Sequence, residues 1–497
     1  MLRTSSYVIY VDLPNESDQM LLVHGYTGAY DQVSGRVANY VRSLESKKPP
    51  KPLYGDWSPE PFVDDAVLPS EQTINTLKKR GYLTELSVDA EQALFDKLTK
   101  VRHTAAGRYP GYVFMPTYDC NLRCSYCFQD HMRRDNACRT MLKTMSPATV
   151  DRIFAAMPKI EEYHQIPPTE KPHRSITFFG GEPLLARNRP IIEYIIAKAQ
   201  ETSTPSFGVV SNATELQEYR HLLGPELISF IQITLDGPPH EHNKRRIYAD
   251  GSGSFEQIAQ NISMALELKV RISVRLNIDR NNIHELPELA REIIKRGWHH
   301  YDNFHAYTAP INAANDRTDR KTTFSSWELD RAITELHKQD QDMFVIERPD
   351  MRLRSQAGQI FTSQSLPSLQ PSFCGANTSM YVIDAFANLF ACWERTGDER
   401  IRIGYITEES DLVIEDAMNK LWRSRNVTTN AICRQCRYAH YCGGGCAVLA
   451  ENRHGELSAN FCDGYAARFR AGVAESYQKH IASQQEAVKT ESLCEEV

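Results

Sequence analysis

Apolar and polar positions alternate over residues 7–13 and again over 20–23, on either side of the turn-forming run Pro14-Asn15-Glu16-Ser17-Asp18, and this pattern predicts a β-hairpin. From Ser34, a suitable N-cap, apolar side chains recur at Val37, Tyr40, Val41 and Leu44, the i, i+3, i+4, i+7 spacing of one helical face. A Pro-rich connector occupies 48–62. A second helix is expected to open at Ser70 and stop at Gly81, with Tyr82 and Leu83 packing back. Two or three strands followed by helices make residues 1–90 a small winged-helix-like domain.

Further along, apolar runs at 112–117, 175–179, 207–211, 228–236, 271–277 and 303–307 alternate with helical stretches, which implies a parallel sheet. Six such units are too few for a complete eight-stranded barrel. The expected core, residues 108–330, is therefore a partial (β/α)6 TIM-like barrel within an α/β chain, with its chemistry in the loops after the C-terminal strand ends. Residues 311–370 are polar, helical over 325–338 and then loop-like. Over 365–480, short strands such as 380–384 alternate with Gly-rich turns, and 481–497 read as a charged tail after an amphipathic helix.

A chain of 497 residues buries enough core to need no disulfides, so its 12 cysteines need another explanation. The apolar stretch 7–11 is cut off by Asp12, far short of a secretory signal, and no run of about 18 apolar residues occurs. A net charge of -6, with no basic run longer than Lys244-Arg245-Arg246, argues against nucleic acid as a partner. Neither nucleic acid nor membrane is expected as a partner, and the expected compartment is a reducing cytoplasm. There, clustered thiols point to metal or catalysis.

Cys120-Asn-Leu-Arg-Cys124-Ser-Tyr-Cys127 follows the first core strand directly. Three thiolates on so short a loop can converge on one face of an iron–sulfur cubane and leave one iron without a protein ligand. A structural zinc site, the competing reading, wants four ligands. After the next strand comes Gly180-Gly181-Glu182-Pro183, where glycines allow close backbone approach to a ligand and the carboxylate can pair with an ammonium.

Together these two motifs resemble the radical S-adenosylmethionine (SAM) superfamily. The resemblance implies an enzyme that holds a [4Fe–4S] cluster through Cys120, Cys124 and Cys127 and cleaves SAM reductively to a 5′-deoxyadenosyl radical. It also implies that Tyr126 meets the adenine, that Glu182 meets the SAM ammonium, and that Ser211, Asn212 and Thr234 line the SAM site. Arg246 (or its neighbour Arg245) and Arg275 are candidates to hold the SAM carboxylate. His240 and His242, near a turn, are expected on the surface.

Cys374, Cys392, Cys433-x2-Cys436-x5-Cys442-x3-Cys446 and Cys462 resemble the SPASM extension of peptide-modifying radical SAM enzymes. The resemblance assigns Cys433, Cys436, Cys442 and Cys462 to one auxiliary [4Fe–4S] cluster, and Cys374, Cys392 and Cys446 to a second. No fourth thiolate stands near Met380, so an open iron is expected there, with a water, a carboxylate such as Glu394, or Cys138 as alternative ligands and structural zinc as the alternative to clusters. Where the family has a glycine five residues before the second cysteine, this chain has Ala387, and the left-handed turn is expected to move to Asn388. Cys138 and Cys494 fit no spacing pattern.

The order of elements in 1–90, including the Tyr26-Thr27-Gly28-Ala29 turn, resembles the leader-peptide recognition unit of ribosomal-peptide maturases, which takes an extended peptide onto a strand edge. The resemblance therefore implies an oxidoreductase that crosslinks or oxidises a residue of a small precursor peptide, fed by a flavodoxin- or ferredoxin-type donor. One alternative is an anaerobic sulfatase-maturing enzyme; that family generally carries an Asp directly after the second SPASM cysteine, where Trp393 stands here. Another is a non-catalytic peptide-binding protein with structural zinc.

Overall fold

The computed structural model describes residues 1–14, 16, 18–45, 68–312, 318–349, 351–363 and 367–495. The Pro-rich connector at 48–62 and part of the turn at 14–18 lie outside the described residues. The chain divides by its contacts into two compact units, one of residues 1–105, 350–374 and 424–497, the other of 106–349 and 375–423. Residues 365–480, read above as one stretch, thus contribute to both.

In the first unit the chain runs through β1 (Arg3–Thr4), β2 (Val8–Asp12), β3 (Gln19–His24), β4 (Tyr30–Ser34), α1 (Gly35–Ser43), α2 (Glu71–Arg80), β5 (Leu83–Thr84) and α3 (Val88–Ala106). The hairpin forms as β2 and β3, and β4 extends it to an antiparallel sheet of order β2-β3-β4. Ser34 caps α1 by accepting from the Val37 amide, and Gly81 ends α2 in the left-handed region at φ 92°. Both faces of the sheet are apolar because both are covered. Val8, Tyr10, Met20 and Leu22 pack with Ala38, Val41, Leu77 and Tyr82. Ile9, Val11, Leu21 and Val23 pack instead with Leu353, Tyr438, Tyr441 and Phe469.

Two helices depart from the sequence expectation. Residues 351–363, expected as loop, form a helix that buries Leu353 and Ala357. The charged tail is also helical, as the end of a single helix Tyr465–Glu495.

The second unit is built on β6 (Gly111–Phe114), β7 (His173–Phe178), β8 (Thr204–Ser211), β9 (Ile228–Leu235), β10 (Arg271–Ile278) and β11 (Phe304–Pro310), parallel throughout and neighbours in chain order. Helices Pro147–Tyr163, Arg189–Thr202, Phe255–Glu267 and Leu286–Lys295 supply four of the five crossovers. Alternate residues such as Ile231, Ile233 and Leu235 are fully buried, as a helix-covered parallel sheet requires. The α/β core with six parallel strands therefore agrees with the sequence reading.

The sheet does not stop at β6. β12 (Met380–Ile383) pairs with it in parallel, and β13 (Asn388–Phe390), β14 (Gly404–Ile406) and β15 (Leu412–Ile414) follow antiparallel, giving ten strands. The turn between β12 and β13 corrects one expectation: Ala387 itself is left-handed at φ 63°, while Asn388 has already entered its strand. Asp384 holds this turn, its Oδ1 accepting the Phe386 and Asn388 amides at 2.9 Å each and its Oδ2 the Tyr118 hydroxyl at 3.1 Å.

Candidate functional site

The loops after β6 and β7 are zipped together. The Gly181 amide donates to Thr117 O at 3.1 Å and the Glu182 amide to Asp119 O at 2.8 Å, and a Cβ on Gly181 would run into the carbonyl oxygens of Tyr118 and Asp119. This close approach presents Cys120, Cys124 and Cys127 to one cavity of about 250 Å³. A short helix, α4 (Asp130–Arg134), follows and supplies Arg133, whose Nη2 donates to Cys127 Sγ at 3.3 Å. Burial pushes the Cys120 thiol up to about 11, helped by Glu182, and the Cys124 thiol up to about 12, helped by the other two cysteines. Burial is the larger cause of both; Cys120 and Cys127 add a smaller rise at Cys124, and all three cysteines line the same cavity.

The structure brings Gly180, Gly181, Glu182, Ser211, Asn212 and Thr234 to the same cavity, along with Tyr126, Arg246 and Arg275. Pro183 does not line it; its carbonyl accepts from Asn188 Nδ2 at 3.2 Å. Glu182 is held rigidly: Oε1 accepts from Ser211 Oγ at 2.7 Å and the Leu184 amide at 2.8 Å, and Oε2 from the Asn212 amide at 2.6 Å. Burial raises its proton affinity to about 7 against these three bonds.

Tyr126 is tied down by its hydroxyl, which donates to Asp236 Oδ2 at 2.6 Å and accepts from Arg246 Nη1 at 2.8 Å and Asn277 Nδ2 at 3.2 Å. Burial works against the Arg246 charge, yet Cys124, Tyr126 and Asp236 together hold its proton affinity well up. Arg245 points to other work, forming paired bonds to Asp279 at 2.9 and 3.1 Å and one to Glu241 at 2.8 Å. His242 corrects the surface expectation: it is fully buried, with Nε2 3.0 Å from Ser254 Oγ. His240 stays half-exposed beside Glu285 and Glu288.

Sequence reading missed Asp236, Asn277, Gln129 and Arg133, and offered Glu394 only as an alternative ligand of the second auxiliary cluster. Asp236 and Asn277 carry a findable signal, since both are polar residues at the C-terminal ends of parallel strands. Glu394 is brought to this cavity by the loop after β13, a strand that reaches the core sheet through β12. Its carboxyl lines the cavity with Trp393, which stacks on Phe179 at 5.2 Å, and burial raises its proton affinity against Arg275 and Arg395. Cys138 packs into an apolar cluster with Tyr118, Met132 and Val382.

A second thiol group lies in the first unit. Burial pushes Cys433 up to about 12 and Cys442 well above its usual range, with Cys462 raising both and Cys436 adding to Cys442. Gly443, Gly444 and Gly445 are all left-handed, at φ 72°, 84° and 76°, and carry the chain from Cys442 round to Cys446. Buried Arg425, absent from the sequence reading, braces this turn by donating to the carbonyls of Gly444, Gly445 and Ala459 at 2.9–3.1 Å. Cys374 and Cys446 belong to this unit, and both raise the proton affinity of Arg425 against its burial; Cys392 is a buried residue of the other unit.

This geometry is that of a radical SAM domain, and residues 114–293 match the Radical SAM superfamily. The chain carries a radical SAM domain and is homologous to anaerobic sulfatase-maturating enzymes. It is 23% identical over 377 residues to the cysteine-type anaerobic sulfatase-maturating enzyme of Clostridium novyi, covering 72% of this chain and 93% of that one. The enzyme of the same name from Clostridium perfringens is 20% identical over 359 residues, covering 70% and 91%. The solved structure of native anSMEcpe with bound AdoMet superposes with a TM-score of 0.54 at 13% identity over 76% of this chain and 100% of that one, which shows a shared fold.

A radical SAM domain implies a [4Fe–4S] cluster and SAM. The residues present fit both. Three thiols lining one cavity suit a cationic metal centre, and Gln129 Nε2, Arg133 Nε and Arg246 Nε are buried donors without hydrogen-bond partners in the cavity wall. No helix among the described residues is long and apolar enough to cross a membrane.

Proposed function

We propose that this protein is a cytoplasmic radical SAM peptide maturase with a winged-helix-like recognition domain in 1–90, a partial-barrel core in 108–330 and a SPASM domain in 365–480. The observation that carries the reading is the convergence of Cys120, Cys124 and Cys127 on one cavity with Glu182, Tyr126, Arg246 and Arg275. When bound, the cluster supplies the electron that breaks a C–S bond of SAM and yields a 5′-deoxyadenosyl radical. The three thiolates hold the cluster and leave one iron for SAM.

Glu182, fixed by Ser211 and two backbone amides, accepts from the SAM ammonium without reorganising. Arg246 and Arg275 hold its carboxylate, and Tyr126, pinned by Asp236, Arg246 and Asn277, sets the adenine side of the cavity. Thr234 and Asn212 complete the wall, and Trp393 and Phe179 form an apolar side that excludes water from the reacting carbon.

The substrate in this reading is a precursor peptide, crosslinked or oxidised at one residue, and the electron donor is a flavodoxin or ferredoxin. Cys433, Cys436, Cys442 and Cys462 hold one auxiliary cluster, and Cys374, Cys392 and Cys446 a second. The names of the curated relatives favour a second reading, sulfatase maturation. Trp393, stacked on Phe179 where that family carries an Asp, weighs against it. Anaerobic incubation with SAM and dithionite, with 5′-deoxyadenosine read by mass spectrometry, tests the radical chemistry. A sulfatase-derived peptide and any short precursor peptide found encoded beside this gene, offered in parallel, separate the two substrates.

A further inference from the structure

The segment that separates the four thiols of the first unit is also the segment that grips the N-terminal domain. Between Cys433 and Cys442, five side chains are committed to residues 1–105. Arg434 pairs with Asp96, and its carbonyl accepts from Tyr7 Oη at 2.9 Å and Gln92 Nε2 at 3.1 Å. Arg437 lies over the Tyr10 ring at 5.7 Å with Glu45 3.6 Å away. Tyr438 enters the core beneath Ile9, Val11, Leu21 and Val23. His440 stacks on Phe95 at 4.5 Å, its Nδ1 accepting from Arg102 at 2.9 Å and its Nε2 donating to Thr99 Oγ1 at 2.8 Å, a tautomer its burial keeps neutral. Tyr441 donates to His24 O at 3.2 Å. The thiols join in: Cys433 is buried with Tyr7, Tyr26 and Phe95, and Cys436 packs against the same cluster.

We infer that metal assembly at Cys433, Cys436, Cys442 and Cys462 is coupled to the folding of the N-terminal domain, so that the sheet β2-β3-β4 is fully ordered only when the site is loaded. The physical reason is that the eight residues between Cys433 and Cys442 cannot serve two masters independently. Without metal, the ends of the segment rest on the three-glycine turn and its Arg425 brace, with no cluster to join the four sulfurs, and loosening those ends removes one wall of the core under β2 and β3. Loading the site fixes both ends of the segment and the wall with it. The coupling needs only this geometry. Its functional consequence, that a chain lacking this cluster docks peptide poorly, rests on reading 1–90 as the peptide-recognition domain.

Amide hydrogen exchange of the full-length chain, apo and after anaerobic reconstitution with iron and sulfide, tests the coupling with neither SAM nor peptide present. Exchange over residues 8–12, 19–24 and 88–105 is expected to slow on reconstitution by at least about tenfold. The response is expected to survive in Cys124→Ala, to vanish in Cys462→Ala, and to shrink over 88–105 in His440→Ala, which keeps all four thiols. Equal protection in apo and reconstituted wild type overturns the proposal, and that comparison needs no variant to fold. A Cys462→Ala chain that responds like wild type overturns it as well. If exchange couples to loading while precursor-peptide affinity does not, the recognition role of 1–90 is what fails, and the coupling stands.

Discussion

The two thiol groups of this chain are built to opposite ends. Around Cys120, Cys124 and Cys127 the protein supplies three sulfurs, a cavity, and buried donors on Gln129, Arg133 and Arg246 that nothing in the protein uses. Around Cys433, Cys436, Cys442 and Cys462 it supplies four sulfurs, a glycine turn braced by Arg425, and, between Cys433 and Cys442, five side chains engaged with residues 1–105. Three ligands with unspent polar groups describe a site that works on something else. In the reading proposed above, four thiolates whose intervening side chains are bound into the N-terminal domain make a site that holds the protein together.

The largest expected effect breaks the symmetry between the groups. Cys120→Ala, Cys124→Ala or Cys127→Ala each should reduce 5′-deoxyadenosine formation to background in anaerobic assays followed by mass spectrometry; wild-type yield from any one of them would refute the open-site assignment. A second effect is confined to the open site. Glu182 has its folded proton affinity raised to about 7 from an ordinary 4.5, mainly by burial. A carboxyl raised in this way binds its proton more tightly in the folded chain. Apoprotein stability should therefore fall as pH rises from about 4.5 to about 7 and level off beyond, with a contribution on the order of 3 kcal/mol. Denaturant titrations across that range should show the slope, and Glu182→Gln should flatten it.

Tyr126→Phe probes the same site more gently. It removes one donor and one acceptor and leaves Asp236 with both carboxylate oxygens buried and unbonded, so a stability loss of about 1–3 kcal/mol is expected. SAM affinity, measured by titration calorimetry, should drop with it. The smallest effects compare two left-handed turns. Ala387→Gly should relieve an αL cost of about 1–2 kcal/mol and, after the entropy of the added glycine, stabilise by roughly 0.5–1 kcal/mol. Gly444→Ala, where a Cβ would meet Cys433 Sγ at an ordinary 3.8 Å, should cost about 1 kcal/mol from backbone conformation alone. Opposite signs in urea melts are the expected outcome.

The sequence alone determined the parallel core and its reactive loop. Six apolar runs at βα spacing, a C-x3-C-x2-C loop after the first and GGEP after the second leave little freedom, because periodicity and ligand spacing are local properties of the chain. The hairpin, α1 and α2 were legible for the same reason, down to Ser34 and Gly81 as their caps. Tertiary structure decided what depends on distant partners. α3 buries Glu91, Phe95 and Thr99 on one face, a pattern that reads as surface until Arg3 Nη2 is found 2.8 Å from Glu91, Ser5 Oγ at 2.5 Å, and His440 against Thr99. β12 gives no sign in sequence that it will pair with β6, some 270 residues earlier, since a short apolar run does not name its neighbour. Ala387 takes a glycine's conformation because Asp384 binds the amides on either side of it, and that over-determination appears only when the turn is folded.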